Sequence, residues 1–407
     1  MYKKIKILLL MSIVSCVGCN TNTANKLVDI TKLTWQQIVD NAKGKTVVMN
    51  MYGGFKKGNS YMTNYAVLQL LKQYNITLKI VPAQGNEIVN NIMAQKESST
   101  QKGQIDLCWI NGETFYQLRQ INGLYGPFIK QLPNVKYINL NDPIIKYDFQ
   151  EEVKGFEAPW GKANYIVITD TARVKKIPIS MQDFEAYWQQ YPGKFTLAQD
   201  FMGLTLLKSW LVELAGGMQV LDGPFDEKKY HIYSTQLWQF INKNKKYFWK
   251  NGETFPASNV AVSQMFGSGE LDFAFAFGNT DIDTKVSEGL YPNTSKGYIL
   301  KAGSIHNTSY LGIPYNSVNV EAAMVVCNFL ISPEAQIKKV DINAWGSTMI
   351  LDYDKLDAQW QTAYKALPKL KYGINEAEVN AKSIKETGPK YMIKVAEDFR
   401  KFVINTK

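Results

Sequence analysis

From residue 46 onward the apolar positions switch between a period of two and a period near 3.6, as strands alternating with helices do. Val47 to Tyr52 predicts a strand, Tyr61 to Tyr74 a helix, Ile76 to Val81 a strand, Asn86 to Lys96 a helix and Ile105 to Ile110 a strand. A β-α-β-α-β order predicts a parallel sheet covered by helices, which receives ligands beyond the carboxyl ends of its strands. Those ends read Tyr52-Gly53-Gly54 and Trp109-Ile110-Asn111-Gly112-Glu113. Each couples an aromatic ring with glycine, whose missing side chain lets a ligand approach the backbone. Simple turn chemistry accounts equally well for Gly53 and Gly54.

The stretch Gly155 to Asp170, GFEAPWGKANYIVITD, breaks this alternation. Pro159 fixes its own φ and pushes Ala158 to extended geometry, so Glu157 to Thr169 predicts one long strand. It begins polar and aromatic and ends apolar. Its first half is expected to line a cleft between two lobes and its second half to lie inside the second lobe; an ordinary core strand after a turn is the alternative.

Further on, Phe201 to Ala215 predicts a helix whose start, Gln199 to Gly203, turns its backbone N–H groups toward the cleft. Tyr233 to Phe248 and Ala257 to Met265 predict helices, and Leu271 to Phe277 predicts an apolar strand closed by Gly278-Asn279-Thr280-Asp281. Lys301 to Asn316 is expected to return the chain to the first lobe, with His306 to Tyr310 nearest the crossing. Glu157 to Ala163 and Ser304 to Tyr310 should then lie side by side. Asn319 to Lys339 supplies further helices, the second capped by Ser332 with Pro333 at its first position. Near the start, Thr34 and Gln37 form a capping box for a helix carrying Trp35, Ile38, Val39 and Ala42.

Residues 1–19 are not expected to belong to the fold. Lys3, Lys4 and Lys6 form a basic region before an apolar run too short to span a bilayer. Cys16 and Cys19 follow, each in a setting that resembles the bacterial lipobox; a plain secretory leader with two incidental cysteines is the alternative. Lipidation of either would anchor the chain by more than one acyl chain. Residues 20–33 are polar and suit a tether.

Roughly 390 residues remain after the leader, more than one hydrophobic core holds, so two domains are expected. Cys108 and Cys327 each sit in an apolar run and are expected as buried free thiols. The formal charge of +10 is spread without a basic stripe, which predicts a solvated surface and no nucleic-acid partner. No nucleophile elbow, zinc helix, phosphate loop or dinucleotide fingerprint is present, and His231 and His306 lack metal-ligand spacing. No enzyme activity, cofactor or metal is expected. A secreted glycosidase using Glu113 and Glu157 is the enzymatic alternative, with carboxylates about 5 to 10 Å apart as its mark.

Several segments carry a resemblance. Trp109 to Phe115, Gly126-Pro127-Phe128, Phe156 to Gly161, Phe255 to Ser258, Leu271 to Phe277, Ile313 to Asn316 and Asn328 to Gln336 resemble the YnjB-type extracellular solute-binding proteins of ABC importers, over roughly residues 35 to 350. The resemblance implies an α/β, two-lobed type II periplasmic-binding-protein-like fold: two mixed sheets flanked by helices, with a hinge and an interlobe cleft. The domains follow as 34–156 with 308–348 for the first lobe and 157–307 with 349–407 for the second. It also implies an extracytoplasmic, lipid-anchored monomer that captures a small molecule and delivers it to the transmembrane subunits of a permease.

The resemblance supplies no ligand, so the residues must. Tyr52, Trp109, Trp160, Phe201, Phe277 and Tyr310 are candidates for stacking, Glu113 and Glu157 for charge, Asn111, Asn279 and Asn307 for hydrogen bonds, and Gly53, Gly54, Gly112 and Gly161 for close approach. Rings with acids suit a cationic solute, thiamine-like or polyamine-like. A sugar is the runner-up, and a core role is the alternative for each of these aromatic residues, Phe277 above all.

Overall fold

The structure, a computed structural model, describes residues 30–54 and 56–405, so Cys16 and Cys19 lie outside the described residues. Its strands are β1 (Thr46–Met51), β2 (Thr77–Pro82), β3 (Leu107–Ile110), β4 (Tyr147–Asp148), β5 (Glu151–Glu152), β6 (Glu157–Asp170), β7 (Phe273–Phe277), β8 (Ser295–Tyr298), β9 (Ser304–Gly312) and β10 (Ser383–Ile384). In β1 alternate residues Val47, Met49 and Met51 are buried, and the strand pairs in parallel with β2 and β3. The Gly85–Glu97 and Gly112–Gln120 helices provide the covering that a parallel sheet requires.

β6 and β9 hold the molecule together. They run antiparallel from Glu157 opposite Gly312 to Asn164 opposite His306, with a register shift between Pro159 and Gly161. Glu157 to Ala163 therefore lies beside Asn307 to Gly312, as the crossing argument expects. Beyond this ladder β6 pairs with β7 and β8, through Tyr165 to Asp170. Because β6 and β9 pass through both halves, the two expected sheets join into one hydrogen-bonded path, β2-β1-β3-β9-β6-β7. β9 meets β3 only at residues 310–312 and β10 only at residues 304 and 305. Between these ladders His306, Asn307 and Thr308 are paired to β6 alone.

Each half has its own core. Val47, Met49, Leu311, Ala158 and Trp160 pack with the buried Val320–Leu330 helix, while Tyr165, Val167, Phe273 and Phe275 pack with the Phe201–Leu214 helix, Tyr391 and Phe399. Met349, Ile350, Leu351 and Leu356 belong to the first core, and Ile374 and Val379 to the other half. The expected second-lobe segment 349–407 is thus divided. Its first part carries apolar side chains that fit beside Tyr137 and Ile138, and its lysine-rich character did not reveal this.

Local signals hold where they rest on specific atoms. Thr34 and Gln37 make the capping box, and Ser332 accepts from the Ala335 N–H with Pro333 in the first turn. The helix expected from Tyr61 starts earlier, as Lys56–Tyr61, and continues through a π-helical turn, Met62–Ala66, to Val67–Tyr74. Cys108 and Cys327 are buried and free. Among the described residues no single helix is long and apolar enough to cross a membrane.

Candidate ligand-binding cleft

A cavity of about 300 Å³ opens against His306, Asn307 and Thr308, where β9 has only β6 beside it. Its other walls are Pro143, Ile144 and Tyr147 to Gln150 from the first half and Asp222, Lys385 and Glu386 from the second. It is bridged directly: Gln150 Nε2 donates to the Glu386 carbonyl at 2.7 Å, and the Gly223 N–H donates to Gln150 Oε1 at 2.8 Å.

Carboxylates crowd this region. Glu113 lies in the first turn of the Gly112–Gln120 helix, where the helix dipole favours an anion, yet its Oε2 is buried without a partner. Asp148 accepts the Gly112 N–H at 2.5 Å. Glu157 is fully buried, and neither of its carboxylate oxygens has a hydrogen-bond partner among the described residues. Glu386 Oε1 binds Lys208 Nζ at 2.6 Å and the Thr387 N–H at 2.8 Å, which leaves Oε2 without a partner. Burial pushes Glu113 up to about 7; Lys208 opposes that shift and Glu386 adds to it. Burial raises Asp148 and Glu157 well above the usual carboxylate range; Glu113 and Glu386 add to the shift of Asp148, and Asp148 adds to that of Glu157. Near these four carboxylates stand the cations Lys208 and Arg119, while Lys385 on the cavity wall is paired with Asp222; the Arg119 guanidinium lies 3.5 Å from the centre of the Phe156 ring.

Aromatic rings join the halves around Lys208. Its ammonium lies 4.5 Å from the Phe149 ring centre and 5.8 Å from that of Phe201, and Phe201 reaches Phe277 at 5.4 Å. Asp200, the N-cap, accepts from Met202 and Gly203 and so fixes Phe201 at the helix start. Farther along the same interface, burial and the nearby Asp200 raise the Tyr52 phenol, and Lys56 approaches Glu288 at 3.8 Å.

Comparison with known proteins places this architecture. Residues 33–368 match the family of bacterial extracellular solute-binding proteins. The chain belongs to that family. It is 31% identical over 340 residues to Protein YnjB of Escherichia coli K12, covering 82% of this chain and 87% of that protein. Its fold is similar to that of AfuA from Actinobacillus pleuropneumoniae, solved with fructose-6-phosphate (TM-score 0.62, 12% identity, 89% and 99% of the two chains), and to a putative spermidine/putrescine ABC transporter protein from Listeria monocytogenes (0.60, 13%, 88% and 98%).

In this solute-binding protein the expected contact residues have different fates. Asn307 lines the cavity, and its Oδ1 accepts from Asn111 Nδ2 at 2.9 Å. Glu113 and Glu157 join the buried acid group. Phe201 and Phe277 lie at the junction of the halves. Trp109 and Trp160 instead meet each other edge-to-face at 5.1 Å between ring centres and meet Trp345 at 5.9 and 5.3 Å, and Trp160 is 1% exposed. Tyr310 is buried, and its hydroxyl donates to the Ile145 carbonyl at 3.1 Å. The Asn279 amide is taken up by the backbone N–H and carbonyl of Ile374.

The glycines admit neighbouring protein groups. A Cβ on Gly53 would meet Pro82, one on Gly54 the Tyr52 ring, and one on Gly161 the Lys339 ammonium at 3.0 Å. Gly112 has φ +50°, and a Cβ there would stand 2.6 Å from the Phe149 ring. Gly112→Ala is expected to displace Phe149 from the cavity wall and to cost about 1–3 kcal/mol, measurable by urea unfolding.

The residues that sequence reasoning missed are Asp148, Phe149, Lys208 and Glu386. Lys208 and Glu386 meet across 178 positions, and no local period signals such a pairing.

Proposed function

We propose that this solute-binding protein captures a small cationic solute in the interlobe cleft and delivers it to the membrane subunits of an ABC importer. The observation that supports this reading is the enclosed charge balance: Glu113, Asp148, Glu157 and Glu386 against Lys208 and Arg119, with four carboxylate oxygens left unpartnered. A cation entering the cavity meets the charge it lacks and the Phe149 ring on its wall, a favourable contact once water is excluded. The relatives do not settle the ligand, because one is named for polyamines and another holds a sugar phosphate. Capture works through the hinge: β6 and β9 permit the halves to part, and a solute that touches both favours the closed form by its differential affinity. No chemical step on the solute is invoked.

A thermal-shift panel tests the charge class. Polyamine-like or thiamine-like cations are expected to raise the melting temperature, and Glu157→Gln to weaken the effect. Stabilisation by neutral oligosaccharides or anions alone, with cations silent, would contradict it.

The pH dependence has a definite sign. A bound cation favours ionised Glu113, so binding near pH 7 expels a proton, and affinity is expected to rise roughly tenfold from pH 6 to pH 8. Asp148 and Glu157, also raised, act in the same direction. Calorimetry in buffers of different ionisation enthalpy reads the released proton; affinity independent of pH would remove Glu113 from the site.

The reading includes an extracytoplasmic location with lipid at Cys16 or Cys19. Substituting both by serine is expected to move the protein from the membrane fraction to the soluble fraction, and retention in the membrane would contradict the anchor.

A further inference from the structure

The cavity beside β9 has an unequal set of unpartnered groups. His306 Nδ1 lies 3.2 Å from Asn164 Oδ1, and Asn164 Nδ2 donates to Ser383 Oγ at 3.0 Å. Asn164 Oδ1 is therefore an acceptor, and the imidazole carries its proton on Nδ1. Nε2 is left with a lone pair to which no described residue donates. Burial, with Lys162 nearby, holds the ring down to about 4, so it is neutral at pH 7. Glu386, 6% exposed, adds the unpartnered Oε2, and Asp148 adds a second carboxylate to the same walls. Among the described residues on these walls the orphaned donor is Asn307 Nδ2, on a residue 8% exposed, while the Lys385 ammonium is taken up by Asp222.

We propose that the solute's cationic end is a primary ammonium rather than a quaternary one. It is received in this cavity by His306 Nε2, Glu386 and Asp148, while Asn307 Nδ2 donates to an oxygen of the same solute. This rests on the cationic reading and narrows it. A primary ammonium has three N–H donors and needs acceptors around it. A quaternary nitrogen has none; it is recognised by rings and net charge, gives nothing to the lone pair of a neutral imidazole, and leaves Nε2 buried and unsatisfied. Carboxylates alone would accept either cation, so His306 makes the distinction. The volume lies at the small end of the range of about 300–1,000 Å³ for ligand pockets, which favours a short amine carrying one acceptor oxygen.

Matched probes test this on the full chain by calorimetry and thermal shift at pH 7.5: ethanolamine against choline, and putrescine against its fully N-methylated form. Each primary amine is expected to bind at least tenfold more tightly than its quaternary partner. Glu386→Gln strands Lys208 and risks misfolding, so the decisive variant is His306→Phe, which keeps a ring and removes the acceptor together with the Nδ1 donor to Asn164; it should bring the ratio close to one while both amines still bind, with only a modest fall in melting temperature from the lost hydrogen bond. Equal or tighter binding of the quaternary partner would overturn the primary-ammonium assignment and leave the cationic reading in place. Undiminished selectivity in His306→Phe would place the ammonium elsewhere and overturn the site. Failure of every amine, primary and quaternary, would overturn both readings.

Discussion

Replacing Glu386 by alanine is expected to lower the unfolding free energy by about 3–5 kcal/mol, because it leaves the buried Lys208 ammonium without its counter-charge. The Lys208 side chain is 0% exposed and that of Glu386 5%, and their contact is 2.6 Å. Phe149 and Phe201 surround the ammonium and offer it only ring faces. Lys208→Met alone strands the opposite charge and should also destabilise. The double substitution Lys208→Met with Glu386→Gln removes both charges and should recover most of the loss, since a buried pair is worth little more than a well-packed neutral replacement. Urea unfolding of the single and double variants forms a cycle that isolates the pair. A loss below about 1 kcal/mol in Glu386→Ala is the range of a solvent-exposed pair and would mean that water reaches Lys208.

The second large effect has the opposite sign. Lys339→Met is expected to stabilise the protein. Lys339 is fully buried, and the one hydrogen bond its ammonium makes among the described residues is to the Trp160 carbonyl, which also accepts from Gln336 Nε2. Burial pulls its pKa from 10.5 down to about 7. Below pH 7 the folded and unfolded states both carry the charge, and the fold bears the full penalty, about 5 kcal/mol for a shift of this size. Between pH 7 and 10.5 the unfolded state holds more protons than the folded one, so stability rises with pH and the penalty fades. The gain from methionine should therefore be several kcal/mol at pH 6, less about 1 kcal/mol for the lost hydrogen bond, and should shrink toward pH 10. Chemical denaturation at these two pH values reads it directly. A gain that grows with pH, or a loss at pH 6, would show that the ammonium is compensated where it sits, for example by the Trp160 and Trp345 rings, whose centres lie 5.5 and 5.8 Å from it.

Much of the fold was legible because its signals are local. The alternation from residue 46, the capping atoms of Thr34 and Ser332, and the extended run through Pro159 each act within a few residues, and each appears where the sequence puts it. The crossing was legible for a topological reason: a chain that leaves and re-enters one unit must pair its two passages, and β6 and β9 do so. The site was less legible. Trp109 and Trp160 were read as cleft rings because they flank glycines, but edge-to-face packing with Trp345 uses the same residue types. Asn279 looked like a free polar strand end, and its amide instead serves the Ile374 backbone. Lys208, Phe149 and Glu386 carry no pattern at all, since an isolated lysine on an apolar helix reads as an exception until Glu386 is seen beside it.

Closure on a solute is the central claim, and small-angle X-ray scattering tests it most directly. The full chain, stripped of solute by unfolding and refolding, is measured alone and then with putrescine or ethanolamine at saturation. Hinge closure about β6 and β9 predicts a smaller radius of gyration and a shorter maximum dimension with the amine, reversed when the amine is dialysed away. Identical scattering curves at a concentration where calorimetry shows full occupancy would contradict capture by closure.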